Sequence, residues 1–215
     1  RRRRRRLRAH GAGGFHPLTA CAYALAHARP NVSSMKQLNG PVNEEHGRVT
    51  KGYSMKVEGA VALVTGANRG LGAAIAQALL DSGAAVYGAA RDPGSITNAR
   101  VIPVRLDVRN DDDVAEAVRR CGDVSIVVNN AGILRASPSL ADGAVEAARA
   151  EMETNFFGSL RVARAFAPIL RDNGGGALVN VLSVLSFVAM PQGATYSASK
   201  SAAWSLTNAL RIELR

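Results

Sequence analysis

The chain has 215 residues, enough for one α/β domain with a sizeable core, and a formal net charge of +10. The charge is uneven: residues 1–54 carry 11 Lys/Arg and 2 Asp/Glu, whereas residues 55–215 carry 16 and 15. The basic character therefore belongs to the first 54 residues, and the isoelectric point does not make the remainder a nucleic-acid-binding or membrane-surface domain.

Residues 1–54, here called the head, begin with an arginine run and continue without hydrophobic periodicity. The Arg-rich, acid-poor composition up to Ser34 is compatible with an organellar transit peptide. The alternative, which we favour, is that the head is not native protein and that the domain starts at Met55. Either interpretation predicts a disordered head that the domain does not need.

Histidine and cysteine usage narrows the chemistry of residues 55–215. Every histidine lies in the head: His10, His16, His27 and His46. The domain therefore cannot use Ser-His-Asp or Cys-His catalysis, and we expect no metal site. Its only cysteine, Cys121, excludes a disulfide framework and favours a cytoplasmic protein.

From residue 55 onward, predicted strands and helices alternate. A short Val-rich strand at 60–64 leads through a glycine turn into a helix with apolar residues at helical spacing. The elements that follow are strands at 84–90 and 100–106, a helix at 111–121, a strand at 124–128, a mostly helical stretch at 142–173 broken near Thr154 or Gly158, a strand at 177–182 and a helix at 196–214.

This alternation predicts an α/β fold with a doubly wound parallel sheet in a three-layer α/β/α arrangement of the Rossmann type. Such a sheet usually has a sixth strand, and none follows the last predicted helix. We therefore expect the domain to be truncated at its C-terminus.

The glycine turn is the first candidate site. Gly66, Gly70 and Gly72 allow a sharp turn and leave no Cβ between the backbone and a bound group. The helix that follows directs its free N–H groups and positive dipole end at the same gap. The pattern favours a pyrophosphate site over a simple turn.

Tyr196 and Lys200 form the second candidate site, because residues four apart share one face of a helix. Tyrosine is a poor acid or base at neutral pH, with an ordinary pKa of about 10. A nearby ammonium favours the phenolate, so we expect Lys200 to lower the Tyr196 pKa. Ser183 follows the fifth strand, at the sheet edge where ligands bind in such folds.

These motifs together resemble a known family. The turn Thr65-Gly66-x-x-x-Gly70-x-Gly72, the run Asn129-Asn130-Ala131-Gly132, Asn155, Ser183 and Tyr196-x-x-x-Lys200 are similar, in order and spacing, to the motifs of short-chain dehydrogenases/reductases. The resemblance covers residues 57–215. It implies a Rossmann domain that transfers hydride between NAD(P) and an alcohol or carbonyl.

The resemblance also implies roles for individual residues. Tyr196 would exchange the proton with the substrate oxygen, and Lys200 would also bond the nicotinamide ribose. Ser183 would polarise the carbonyl. Ser186 is the alternative for this role, but it lies closer to Tyr196 in the sequence than the family's serine usually does. Asn155 would hold a water that links Lys200 to solvent.

The remaining implied residues surround the cofactor. Asn129 would steady the central sheet, and Asp107 would bond the adenine. The full implied cofactor set is Gly66, Asn68, Arg69, Gly70, Leu71, Gly72, Arg91, Asp107, Val108, Asn130, Ala131, Gly132, Tyr196 and Lys200.

Charge near the second strand favours NADP over NAD. NAD-specific sites place an acidic residue at the end of that strand to bond the ribose 2′-OH, but here the position is Ala90. Arg91 follows and can pair with a 2′-phosphate, with Arg69 as a second donor. Asp92 is an acidic residue that would favour NAD, but we expect it to lie too far into the loop to bond the ribose.

The sequence thus predicts an NADP(H)-dependent oxidoreductase acting on a small-molecule alcohol or carbonyl. We expect a homodimer or homotetramer and neither nucleic-acid nor membrane binding. The alternatives are a non-catalytic dinucleotide-binding sensor or an inactive fragment. A protein that binds nucleic acid or a membrane surface through its basic head is a further alternative. Support for it would require binding that survives deletion of the head. The sequence does not identify the substrate.

Overall fold

The computed structural model describes residues 55–214. The head lies outside the described residues, so its predicted separation from the domain stays a prediction. Five strands and five α-helices follow one another: β1 Val61–Thr65, α1 Gly70–Asp81, β2 Ala85–Ala90, β3 Ile102–Arg105, α2 Asp111–Arg120, β4 Ile126–Asn129, α3 Ala144–Glu151, α4 Ser159–Asp172, β5 Ala177–Asn180 and α5 Ala194–Glu213.

The strands form one parallel sheet in the order β3-β2-β1-β4-β5. The chain leaves β1 in one direction and β4 in the other, so a crevice opens between their carboxyl ends. The predicted doubly wound parallel sheet is confirmed. Among residues 55–214, no helix combines the length and apolar character that a membrane span requires.

Alternate side chains of the strands build two cores, one on each face of the sheet. Val64 faces the side covered by α1, together with Ala76 and Leu80 of that helix. Leu63 faces the opposite side, where Phe166 of α4 is completely buried. Both faces of a parallel strand are therefore apolar, as the short Val-rich runs require.

The long helical stretch is interrupted as predicted, but by a π-helical segment rather than a gap. Met152–Gly158 joins α3 to α4 and contains both predicted break positions, Thr154 and Gly158. A Cβ on Gly158 would lie 2.6 Å from Val108 Cγ2, so only glycine lets the junction pack this closely. A π-helical turn redirects side chains and is frequent at functional sites.

A chain of hydrogen bonds crosses the edge of the sheet. Asn129 Nδ2 donates to Ser159 O at 3.2 Å and to Asn180 Oδ1 at 2.9 Å, and Asn180 Nδ2 donates to Thr207 Oγ1 at 2.9 Å. This Asn129–Asn180–Thr207 relay ties β4 and β5 to α4 and α5. It agrees with the sheet-steadying role expected for Asn129.

Several predicted boundaries differ from the structure by one or two residues. The strand predicted at 177–182 ends at Asn180, because its partner strand β4 ends at Asn129, directly opposite. The strand predicted at 100–106 is limited to Ile102–Arg105 for the same reason, since β2 pairs with those four residues only. The last helix begins at Ala194 instead of Tyr196, which places Tyr196 in its first turn.

Candidate active site

The glycine turn after β1 has the conformation that its sequence requires. Gly66 and Gly70 have φ of +66° and +55°, in the left-handed region that favours glycine. Helix α1 then begins without a side-chain cap on its free N–H groups, and its first turn holds no acidic residue. Uncapped donors and the positive end of the helix dipole form a site for an anion.

Asn130 and Thr65 join this turn to the loop after β4. Thr65 Oγ1 accepts hydrogen bonds from the main-chain N of Asn130 and of Ala131, both at 3.0 Å. Asn130 Nδ2 donates to Thr65 O at 2.9 Å and to Gly66 O at 3.2 Å. The two loops that border the crevice are therefore one hydrogen-bonded unit.

Gly72 is required by this packing rather than by its backbone angles. A Cβ at Gly72 would overlap the Gly66 carbonyl oxygen and Asn130 Nδ2. The first turn of α1 can approach the two loops only where no side chain intervenes.

A cavity of about 780 Å³ extends from this turn along the carboxyl edge of the sheet. Every predicted cofactor residue except Tyr196 and Lys200 lines it: Gly66, Asn68, Arg69, Gly70, Leu71, Gly72, Arg91, Asp107, Val108, Asn130, Ala131 and Gly132. The lining residues that the sequence prediction missed include Ser95, Arg109, Ile133, Arg135 and Thr154. Four arginines and two aspartates line the cavity, so its charge favours an anionic ligand.

At the end of β2, the side chain of Asp92 is turned into its own loop. Its Oδ1 accepts from Gly94 N at 3.0 Å and caps the helical turn Pro93–Ser95. Arg91 and Arg69 line the cavity and form no ion pair among residues 55–214. The expected binding of a 2′-phosphate by these two guanidinium groups stays a prediction.

Asp107 lines the cavity, but its carboxylate already has a partner. Arg109 binds it with Nε at 2.9 Å and Nη2 at 2.6 Å, and Arg109 N donates to it at 3.0 Å. The Arg109 hydrogen bonds hold the Asp107 pKa below its ordinary value. The expected bond from Asp107 to adenine stays a prediction. The Asp-x-Arg spacing in the sequence could have indicated the ion pair between Asp107 and Arg109.

Ser183 and Ser186 lie in the same turn but have different partners. Ser183 lies beyond β5, its hydroxyl accepts from Leu185 N at 3.2 Å, and it lies near enough to the Tyr196 side chain to lower the Tyr196 pKa. Ser186 is buried, and its hydroxyl accepts from Ser183 N at 3.4 Å. Ser186 therefore shapes the turn, whereas Ser183 reaches the tyrosine.

Lys200 lies near Tyr196 on α5, with Nζ 5.8 Å from the ring centroid. It is only 6% exposed, and its ammonium donates to Val181 O at 2.8 Å. Burial lowers the Lys200 pKa to about 8. The sequence places this lysine correctly, but its main-chain partner could not be foreseen.

The expected lowering of the Tyr196 pKa is wrong for this structure. Burial raises the pKa, the Ser183 hydrogen bond lowers it, and the nearby Glu151 carboxylate raises it, so the net shift is upward. Lys200 Nζ is bound at Val181 O and lies 5.8 Å from the Tyr196 ring centroid. The phenol is therefore the stable form at neutral pH.

Asn155 lies in the π-helical segment, 1% exposed. Its Oδ1 accepts from Ile133 N at 2.8 Å, and its Nδ2 donates to Ile133 O and to Ser199 Oγ, both at 2.9 Å. Its Oδ1 would lie 3.0 Å from a Cβ on Gly132, and Lys200 Nζ would lie 3.7 Å from that Cβ. Asn155 thus orders the loop beside Lys200; the water-holding role stays a prediction.

Known proteins are similar to this chain in sequence. Oxidoreductase BOA17 of Botryotinia fuckeliana (strain B05.10) is 34% identical over 162 residues, which are 70% of this chain and 59% of that protein. This chain therefore spans about three fifths of the length of that relative.

Two solved structures are similar to this chain. A short chain dehydrogenase from Burkholderia cenocepacia J2315 in complex with NADP is 49% identical, with a TM-score of 0.72 over 74% of this chain and 68% of that one. A short chain dehydrogenase/reductase from Burkholderia phymatum in complex with NAD is 32% identical, with a TM-score of 0.67 over 74% of this chain and 61% of that one.

The family profile described as short chain dehydrogenase matches residues 60–215, which include the glycine turn, the Asn-Asn-Ala-Gly run, Ser183, Tyr196 and Lys200. On this match, and on the fold and motif order described above, the chain belongs to the short chain dehydrogenase family.

Proposed function

We propose that the protein is an NADP(H)-dependent oxidoreductase that transfers hydride between the nicotinamide and an alcohol or carbonyl, with Tyr196 as the acid and base. One observation carries the proposal. Tyr196 lies near Ser183 and beside Lys200, and Lys200 adjoins Gly132, which lines the positively charged cavity that begins at the uncapped α1 terminus.

The donor set of the cavity fits a phosphorylated dinucleotide. The N–H groups at the start of α1 and in the glycine turn would hold the pyrophosphate. Arg91, with Arg69, would hold a 2′-phosphate, since an apolar Ala90 stands where a carboxylate would accept a ribose hydroxyl. The NADP complex of the Burkholderia cenocepacia relative supports this preference, while the NAD complex of the Burkholderia phymatum relative keeps NAD as the competitor to be measured.

A bound nicotinamide would supply or accept the hydride. Tyr196 and Ser183 would transfer the proton and orient the substrate oxygen. In carbonyl reduction, the Tyr196 hydroxyl donates its proton to the substrate oxygen. The Ser183 hydroxyl donates a hydrogen bond to the same oxygen and polarises the carbonyl. In alcohol oxidation the phenolate accepts the proton, and the same groups act in reverse.

The protonation states favour carbonyl reduction near neutral pH. The raised Tyr196 pKa keeps the phenol protonated, as a proton donor must be. Lys200, whose pKa burial lowers to about 8, also changes its protonation state in the mildly alkaline range. Oxidation needs the phenolate and therefore a more alkaline solution.

The protein would work as a homodimer or homotetramer through the helices that carry Asn155 and Tyr196. Val145 and Phe157, on α3 and the π-helical segment, are 58% and 42% exposed. Apolar side chains exposed side by side favour contact with another chain.

Cofactor binding and turnover test the proposal separately. NADPH and NADH are titrated by fluorescence, and NADPH oxidation is then followed over a panel of ketones and aldehydes. Tyr196→Phe keeps the ring but removes the hydroxyl that exchanges the proton, so turnover should fall by about 100-fold or more with NADPH affinity unchanged. Tyr87→Phe, in β2, is the matched control and should retain turnover.

Two results would contradict the proposal. Near-normal turnover in Tyr196→Phe would assign the proton to another group. Tight NADPH binding with no turnover of any panel member, alike in both forms, would favour the non-catalytic sensor.

A further inference from the structure

Glu151 is a carboxylic acid buried where the proposed chemistry does not use it. It is 0% exposed and is the last residue of α3, one helical turn before Asn155. Its Oε1 accepts from Arg135 N at 2.6 Å, whereas Oε2 is buried with no hydrogen-bond partner among the described residues. Burying a carboxyl group with one oxygen unpaired is costly, so an apolar residue would pack at this position at lower cost.

Side chains hydrogen-bond every second residue of the main-chain segment that Glu151 contacts. We call residues 133–137 the clamped segment. Three buried side chains bind it: Asn155 at Ile133, Glu151 at Arg135 and Thr195, at 3.4 Å, at Ser137. Each of the three lies on, or within four residues of, Asn155 or Tyr196.

The clamped segment needs this support because it is exposed and strained. Leu134, Arg135 and Ala136 are all exposed to solvent. Ala136 has a φ of 53°, the one non-glycine residue with a positive φ among residues 55–214. A left-handed alanine is strained and persists only where neighbouring contacts fix it.

We propose that Glu151 is a positioning residue, whose carboxylate fixes the clamped segment at Arg135 and places a negative charge beside Tyr196. The inference rests on the proposed function only for its consequence in turnover. Both of its physical claims concern the protein without substrate.

The first claim follows from what the clamped segment borders. Ile133 and Arg135 line the cavity, and Gly132, the preceding residue, neighbours Lys200. Without an acceptor at position 151, Arg135 N loses its partner and the left-handed turn at Ala136 loses one of its two neighbouring supports. The segment then opens more often, and the cavity wall beside Lys200 moves with it.

The second claim follows from the groups that face Tyr196. They are Ser183 from beyond β5, Glu151 from α3 and Lys200 from its own helix. Burial raises the Tyr196 pKa most, Ser183 lowers it, and the Glu151 charge raises it further. A carboxylate here favours the neutral phenol and so keeps the tyrosine a proton donor.

Two substitutions separate the claims. Glu151→Gln keeps an oxygen to accept from Arg135 N but removes the charge, and Glu151→Met removes both in a similar volume. Glu146→Gln, on the exposed first turn of the same helix, is the matched control. All are made in the 215-residue chain and in its Tyr196→Phe form.

Trypsin reports the clamp, because it cleaves after Arg135. Mass spectrometry measures cleavage of the Arg135–Ala136 bond against cleavage after Arg120 in α2. Loss of a hydrogen bond to a carboxylate should speed cleavage about tenfold in Glu151→Met, with Glu151→Gln and Glu146→Gln close to the parent. Equal cleavage in Glu151→Met and the parent overturns the clamp.

The absorbance of the Tyr196 phenolate measures the effect of the Glu151 charge on the Tyr196 pKa. The titration of Tyr196 is the difference between each protein and its Tyr196→Phe form, without cofactor or substrate. Glu151→Gln should lower the Tyr196 pKa, whereas Glu146→Gln should leave it unchanged. An unchanged or raised Tyr196 pKa in Glu151→Gln overturns the inference, and this test stands even if Glu151→Met does not fold. Loss of turnover in Tyr196→Phe tests the proposed function alone, so the two failures are distinguishable.

Discussion

The Asn155 side chain binds both main-chain polar groups of Ile133, with Oδ1 2.8 Å from N and Nδ2 2.9 Å from O. A backbone residue is paired in this way by a neighbouring strand in a sheet, and here one amide side chain takes the place of that strand. The main chain of the loop beyond β4 is therefore hydrogen-bonded at Ile133 as it would be in a sheet, although the strand itself has ended.

Replacing Asn155 with alanine should be strongly destabilising. The change removes three hydrogen bonds of a buried side chain and leaves both polar groups of Ile133 unpaired, for a cost of about 3 kcal/mol. Denaturant unfolding measures it. Asn173→Ala, which removes two bonds from an exposed asparagine, should cost about 1 kcal/mol; equal losses would show that burial of the Asn155 bonds is unimportant.

The two serines beyond β5 should give opposite phenotypes. Ser183→Ala should lower turnover by about 100-fold, as for loss of one donor at a reacting oxygen, with little change in melting temperature. Ser186→Ala should lower the melting temperature, because the buried hydroxyl that binds Ser183 N is lost. Substrate turnover and thermal unfolding of both variants check the assignment, and a larger turnover loss in Ser186→Ala would exchange the two roles.

Cofactor preference should respond to the end of β2. Ala90→Asp should shift binding from NADP toward NAD, because a carboxylate repels a 2′-phosphate and accepts from a 2′-hydroxyl. Arg91→Ala should weaken NADPH by about 10-fold while NADH is unaffected, in line with a lost charge-assisted bond. Arg120→Ala, outside the cavity, is the control. Equal weakening of both cofactors by Arg91→Ala would remove the arginine from the phosphate site.

Gly72→Ala should abolish dinucleotide binding and lower stability. The new Cβ would meet the Gly66 carbonyl and Asn130 Nδ2, so the glycine turn and the loop after β4 would have to separate. Gly122→Ala, where the nearest atom to a Cβ is 3.8 Å away, should melt like the parent. NADPH titration and thermal unfolding measure both effects; NADPH binding by Gly72→Ala at parental affinity would contradict the packing argument.

Lys200 should make stability depend on pH. Its pKa is about 8 in the fold and about 10.5 in the unfolded chain, so the unfolded state binds more protons between those values. The burial penalty, on the order of 3 kcal/mol, is therefore complete below about pH 8 and is relieved as the pH rises to about 10.5. Across that range the parent should gain stability relative to Lys200→Met. Lys56→Met, at an exposed position, should show no such difference from the parent.

The sequence predicted those parts of the molecule that depend on local pattern. Apolar runs of Val, Leu and Ala located the five strands, and glycine with helical spacing located the turn before α1. Motif order placed Ser183 beside Tyr196. These features are set by residues close in sequence or by strict backbone requirements, which pattern reasoning can detect.

Features that depend on distant partners were missed. The π-helical segment is set by the packing of Gly158 on Val108 and of Asn155 on Ile133, and no local propensity encodes it. The Tyr196 pKa was assigned the wrong direction because burial of the phenol, which depends on the whole fold, raises it. Long-range hydrogen bonds decide such details, and a single sequence does not display them.

The Asn129–Asn180–Thr207 relay has a consequence for how α5 is seated on the sheet. Apolar contacts between a helix and a sheet are non-directional, so they define the position of the helix along the sheet less specifically than a hydrogen bond does. An amide that is bonded at both ends cannot slide, because a displaced helix would leave Asn180 Nδ2 without Thr207 Oγ1. The relay therefore works as a mechanical stop: it sets how far along the sheet edge α5 lies, and with it the distance between a tyrosine on the helix and a serine on the strand loop.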